Sequence, residues 1–143
     1  MKIIYYLVLI ISFVNCNSGK SQNMTNKEIN QKELTNDKLK DYVFLDCMYK
    51  DPYFPKFLVD KCKNILLNLC IDIETEKPKN LEELYILTHN ATNEINNLQD
   101  EFYENNSEIE TGARECLGLD FEIVSKAYGF DPDIEELIAT RDW

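Results

Sequence analysis

The chain has 143 residues, 29% of them charged, and sets 26 acidic against 15 basic side chains for a formal charge of −11. Acidity on that scale makes nucleic acid and anionic lipid surfaces poor partners and a basic protein a good one, because complementary charge speeds encounter. The length allows one hydrophobic core rather than two.

Met1-Lys2 opens an apolar run from Ile3 to Val14, interrupted by Ser12 and followed by Asn15-Cys16. A basic start, a short apolar core and a cysteine read as a secretory signal of the bacterial lipoprotein kind. The run is too short to cross the ~30 Å hydrocarbon core, which takes roughly 20 helical residues. Residues 1–15 are therefore expected to be a signal peptide and Cys16 the lipidated first residue. Asn15 stands where Gly, Ala or Ser is usual, so a plain cleaved signal and a soluble periplasmic protein are the alternative. Residues 16–34 read as a tether: Met24, Ile29 and Leu34 are their only large apolar side chains, too few to offset the entropy of ordering. As a flexible coil they reach roughly 20–25 Å from the periplasmic face of the membrane. Loss of Lys2 with the signal takes the charge to −12.

Residues 35–143 read as a single helical domain. Asn36 or Thr35 caps a first helix in which Leu39, Tyr42, Val43 and Cys47 recur at helical spacing, and Asp51-Pro52 stops it. Pro55 opens a second helix with a stripe of Leu58, Cys62, Ile65, Leu66 and Leu69. Asn80 and Glu83 form a capping box before a long third helix through Leu81, Leu84, Tyr85, Ala91, Ile95, Leu98 and Phe102. Ser107 and Glu110 repeat that signal before Ile109, Ala113, Cys116 and Leu117. Gly118 is expected to break this fourth helix and Asp120 to cap a short fifth through Phe121, Val124 and Tyr128. Asp131-Pro132 opens the last, with Ile134, Leu137 and Ile138 inward. The expected fold is all-α, a small bundle of five to six helices.

Cys47, Cys62, Cys70 and Cys116 are an even set in an exported chain, which suggests two disulfides. Cys62 and Cys70 share a helix and lie about 12 Å apart along it, beyond the ~7 Å limit for a bridge. That leaves Cys47–Cys62 with Cys70–Cys116, or Cys47–Cys70 with Cys62–Cys116. The residues for catalysis are few: one histidine, His89, and in the helical body only Ser107 and Ser125 as serines. No zinc set and no phosphate loop is present, so neither a catalytic residue, a metal nor a cofactor is expected. Asp72, Glu74, Glu76, Pro78, Asn80 and Glu83 follow the calcium-loop register, but Lys77 stands where that loop requires glycine. The segment reads instead as an acidic interhelical loop.

The stretch from Leu39 through Asp41-Tyr42-Val43-Phe44-Leu45-Asp46-Cys47-Met48-Tyr49 and the later Cys116-Leu117-Gly118-Leu119-Asp120-Phe121, leading into Val124-Ser125-Lys126, resemble the type VI secretion amidase immunity family. That resemblance covers roughly residues 38–128. It implies a small, exported, all-helical protein that works as a homodimer and blocks a secreted peptidoglycan-cleaving amidase by plugging its active-site cleft. If the family's first-helix and late cysteines are bridged as Cys47–Cys116, Cys62 and Cys70 are left without a helical route to each other, in conflict with both pairings above. Glu115 replaces the family's basic residue before the late cysteine, and Cys62 and Cys70 are additional. The expected function is thus a non-enzymatic, membrane-tethered immunity protein; an exported helical carrier of a small apolar ligand is the alternative. Expected contacts with the amidase are Tyr103, Glu104, Asn105 and Asn106 in the turn before the fourth helix, and Asp72, Glu74 and Glu76 in the acidic loop. Replacing Cys16 by Ser is expected to move the protein from the membrane to the soluble periplasmic fraction. Persistence of the Cys16→Ser protein in the membrane fraction would make the apolar run an anchor.

Overall fold

The computed structural model describes residues 29–143. The expected signal peptide, Cys16 and the expected tether as far as residue 28 lie outside the described residues. Within them the chain is all-helical: a 3-10 turn at Gln31–Glu33 and helices α1 (Asp37–Lys40), α2 (Asp46–Lys50), α3 (Lys56–Glu76), α4 (Leu81–Asn96), α5 (Gln99–Glu104), α6 (Thr111–Ala127) and α7 (Ile134–Leu137). No strand occurs among the described residues.

The centre is α3, about 31 Å long. Pro55 precedes its first residue, where the missing N–H costs nothing. The predicted stripe of Leu58, Cys62, Ile65, Leu66 and Leu69 is buried, and Val59, Leu67, Cys70 and Ile73 widen it until the helix is covered on most sides. The helix ends at Lys77, in the left-handed region with φ 53°, and Pro78 follows. A short connection turns the chain back into α4, which lies along α3. The predicted capping box is in place: Asn80 Oδ1 accepts from the Glu83 N–H at 2.8 Å, and Glu83 Oε2 accepts from the Lys79 N–H at 2.8 Å.

Several boundaries differ from expectation, each for a tertiary reason. The expected first helix is two, because Asp41–Leu45 turns and Leu45 adopts φ 54°. The turn resets the helical period, so Val43, expected inward, is 63% exposed, while Phe44, Leu45 and Met48 enter the core. The third helix breaks at Asn97-Leu98, where consecutive asparagines weaken it. The fourth and fifth are one helix, α6, running through Gly118. A Cβ at Gly118 would stand 3.1 Å from Ile134 Cγ2 and 3.5 Å from Ile138 Cδ1, so the glycine is kept for the close approach of α7. The Ser107 capping box does not form: α6 starts after Glu110, and Ser107 Oγ is buried without a partner among the described residues.

Asp120, expected as a cap, is 3% exposed in the middle of α6. Its carboxylate accepts from the Tyr42 O–H and from the Leu45 N–H, both at 2.7 Å. It thereby satisfies the donor at the start of α2, which has no side-chain cap of its own. Burial pushes the Asp120 carboxyl above its ordinary value of 3.8, against the pull of those two hydrogen bonds.

The ordered body begins before residue 35. Leu34, placed by composition in the tether, is 3% exposed. Gln31 Nε2 donates to the Leu39 and Tyr42 carbonyls at 2.6 and 2.8 Å, closing the end of α1. Asn36 caps α1, as expected, by accepting from the Lys38 N–H, and its amide also donates to the Ala127 carbonyl at the end of α6.

The cysteines correct both pairings derived from helix geometry. Among the described residues one disulfide is present, Cys47–Cys116, a pairing in neither of those two alternatives, with Cα atoms 6.2 Å apart. Cys62 and Cys70 are free and fully buried on α3, and burial pushes each thiol up to about 12. The geometric bar on a Cys62–Cys70 bridge stands; the assumption that all four cysteines pair does not.

Alkylation in denaturant without reductant, read by mass spectrometry, should label Cys62 and Cys70 and leave Cys47 and Cys116 linked. Replacing the linked pair by alanines, which opens a loop closed over a sequence separation of 69, should cost about 4 kcal/mol in a chemical denaturation curve. Asp120→Ala should cost about 2–4 kcal/mol, because a buried N–H and a phenol lose their acceptor. With the folded pKa raised, the unfolded state releases this proton first as pH rises. The wild type's stability relative to Asp120→Asn should therefore be greatest below the ordinary value of 3.8 and shrink as pH climbs through the window above it.

Candidate functional site

The turn between α5 and α6 is built on Phe102, which is fully buried and fixes α5 to the core. Past it the backbone closes a tight helix end: the Asn106 N–H donates to the Tyr103 carbonyl at 3.1 Å and the Ser107 N–H to the Phe102 carbonyl at 3.0 Å, with Asn106 left-handed at φ 57°. Asn105 Nδ2 donates to the Glu101 carbonyl at 2.8 Å. The two asparagines thus have conformational tasks within the turn. All four residues from Tyr103 to Asn106 are exposed, Tyr103 by 73%.

The second expected group is rearranged. Asp72, Glu74 and Glu76 are not in a loop; they occupy the last turns of α3, since the loop proper is residues 77–80. Glu74 is used internally. It accepts from the Thr35 N–H (2.9 Å), the Asn36 N–H (3.1 Å) and the Tyr128 O–H (2.7 Å), joining the start of the body to the ends of α3 and α6. Burial would raise its pKa, but those donors hold it below the ordinary carboxylate range. Asp72 and Glu76 remain exposed and flank a cleft of about 470 Å³ with Pro78, Glu83, Ile86 and Leu87. Burial first, and Glu76 second, raise the Asp72 carboxyl. The two expected groups are not brought together: Asp72 and Glu76 sit where α3 passes into α4, whereas α5 is tied to the other half of α3 by Lys61–Glu101 at 2.6 Å.

The turn does acquire neighbours that sequence reasoning missed. The face of α4 holds the carboxyl-terminal segment by its carbonyls: His89 Nε2 donates to Glu136 O at 2.7 Å, and Asn96 Nδ2 to Thr140 O at 2.9 Å. Gln99 Nε2 donates to the Asp142 carboxylate. These bonds carry Trp143 to α5, where it lines a cleft of about 450 Å³ with Gln99, Asp100, Tyr103, Glu108 and Ile109. Its indole N–H is buried without an acceptor among the described residues. The signal that could have found it is composition, since Trp143 is the chain's single tryptophan.

Residues 38–143 match the family described as "Family of unknown function (DUF5713)". The chain belongs to that family. No curated protein and no solved structure matches it. The matched span of this DUF5713 member contains the disulfide, Asp120, the α5–α6 turn and Trp143, while Gln31 and Leu34, which complete the fold, precede it. Among the described residues no helix is long and apolar enough to cross a membrane, and no three His, Cys, Asp or Glu side chains converge as a metal site.

Proposed function

We propose that this protein is a membrane-tethered periplasmic inhibitor: an immunity protein that shields its own cell by occupying the active-site cleft of a secreted peptidoglycan-cleaving amidase. The observation that carries this reading is the Cys47–Cys116 bridge, which joins the two stretches on which the resemblance to amidase immunity proteins rests. A blocking protein needs a rigid projection, and the α5–α6 turn supplies one: an exposed tyrosine and a carboxylate on a closed helix end above a buried phenylalanine. Non-enzymatic action fits the state of the reactive groups, since His89 is engaged by a carbonyl and the free thiols are buried and protonated. The cleft at Tyr103 is lined by Gln99, Asp100 and Glu108 beside its aromatic side chains, which suits a polar protein partner better than an apolar small ligand.

The test is inhibition of a secreted amidase encoded beside this protein, measured by release of peptidoglycan fragments. Tyr103→Ala and Glu104→Ala together should weaken inhibition by at least about 2 kcal/mol, with Asp72→Asn and Glu76→Gln changing it little. Unchanged inhibition in both variants would move the contact to the helix faces. Absence of any complex with such an amidase would overturn the reading.

A further inference from the structure

We infer that the cleft between α5 and the carboxyl-terminal segment is a receptor for an arginine or lysine side chain presented by a protein partner. For the identity of that partner the inference rests on the inhibitor reading; the cleft itself is argued from its own chemistry. Tyr103 and Trp143 give it aromatic surface, Asp100 and Glu108 give it two carboxylates, and Gln99 and Ile109 complete the lining. A cation is attracted to the face of an indole or phenol ring, and a guanidinium both stacks on such a ring and pairs with a carboxylate. The cleft lacks a basic side chain of its own to compete. Its position is built rather than incidental: Gln99 and Asn96 hold the segment that delivers Trp143. The buried indole N–H has no acceptor among the described residues. The charge of the whole chain, −11, favours the same class of partner at long range. The turn that carries Tyr103 is then one wall of a receiving cleft as well as a projection, so the partner inserts a side chain here while the turn enters its groove.

Trp143 is the single tryptophan, so its emission reports occupancy of this cleft directly. The probes are the blocked tripeptide Gly-Arg-Gly and its uncharged counterpart with citrulline in place of arginine, titrated into the oxidised protein at low salt. The arginine peptide should change the emission saturably, with a dissociation constant of about 1 mM or tighter. The citrulline peptide should bind about tenfold more weakly, and added salt should weaken the arginine peptide selectively. Asp100→Asn combined with Glu108→Gln should lose about tenfold in affinity while the emission spectrum of the free protein, a check on the fold around Trp143, stays the same. Equal binding of the two peptides, or no saturable change up to about 10 mM, overturns the inference. Loss of amidase inhibition in Tyr103→Ala beside a failed peptide titration would leave the inhibitor reading standing and remove the cleft. Saturable arginine binding beside a protein that inhibits no amidase would do the reverse.

Discussion

A carboxylate taken out of water must find donors, and Asp120 finds its two in residues that precede it by 75 and 78 positions. The Leu45 N–H is the unsatisfied donor of a helix start, and the Tyr42 hydroxyl is half-buried, so each side of the contact resolves a polar group that the other would leave stranded. The interaction dictates the local backbone. Leu45 accepts a left-handed conformation to aim its N–H, and that turn separates α1 from α2. One helical turn back on α6, Cys116 is linked to Cys47, so a covalent bond and a buried carboxylate fix the same two segments. Gln31 and Glu74 then close the remaining ends by satisfying carbonyls and N–H groups at the margins of α1 and α3.

Elements governed by local chemistry were legible in the sequence. The α3 stripe, the Asn80–Glu83 box and the Asn36 cap each depend on residues within a turn or two of one another. Gly118, Ser107 and Leu45 defeated local reading because their conformations answer to partners elsewhere: Gly118 to Ile134, Ser107 to burial beneath the turn, Leu45 to Asp120. The cysteines show where two kinds of argument separate. Helix geometry correctly kept Cys62 from Cys70, whereas an even count speaks of the compartment and says nothing about which thiols lie too deep to meet a partner.

The same division runs through the site. Tyr103 and Glu104 stand out in sequence as an aromatic and an acid in a polar turn, and the fold leaves both exposed. Asn105 and Asn106 carry the same surface signal but spend it on the backbone. Glu74 likewise looks like its neighbours Asp72 and Glu76 and differs from them only through Thr35, Asn36 and Tyr128, which come to it from both ends of the body. Trp143 meets Tyr103 across a long stretch of chain, and only the hydrogen bonds from α4 and α5 to the carboxyl-terminal segment reveal that they share a wall.

Gly118 has a reach beyond the packing of one helix. It lies between Cys116 and Asp120, so five consecutive residues of α6 serve both flanks of the protein: the cystine and the carboxylate receive α1 and α2, and the missing Cβ receives α7. A four-residue helix such as α7 has almost no stability of its own and borrows it from this segment, as α2 does. The early and late parts of the chain therefore meet on a single stretch of helix, and loosening that stretch weakens the seating of both.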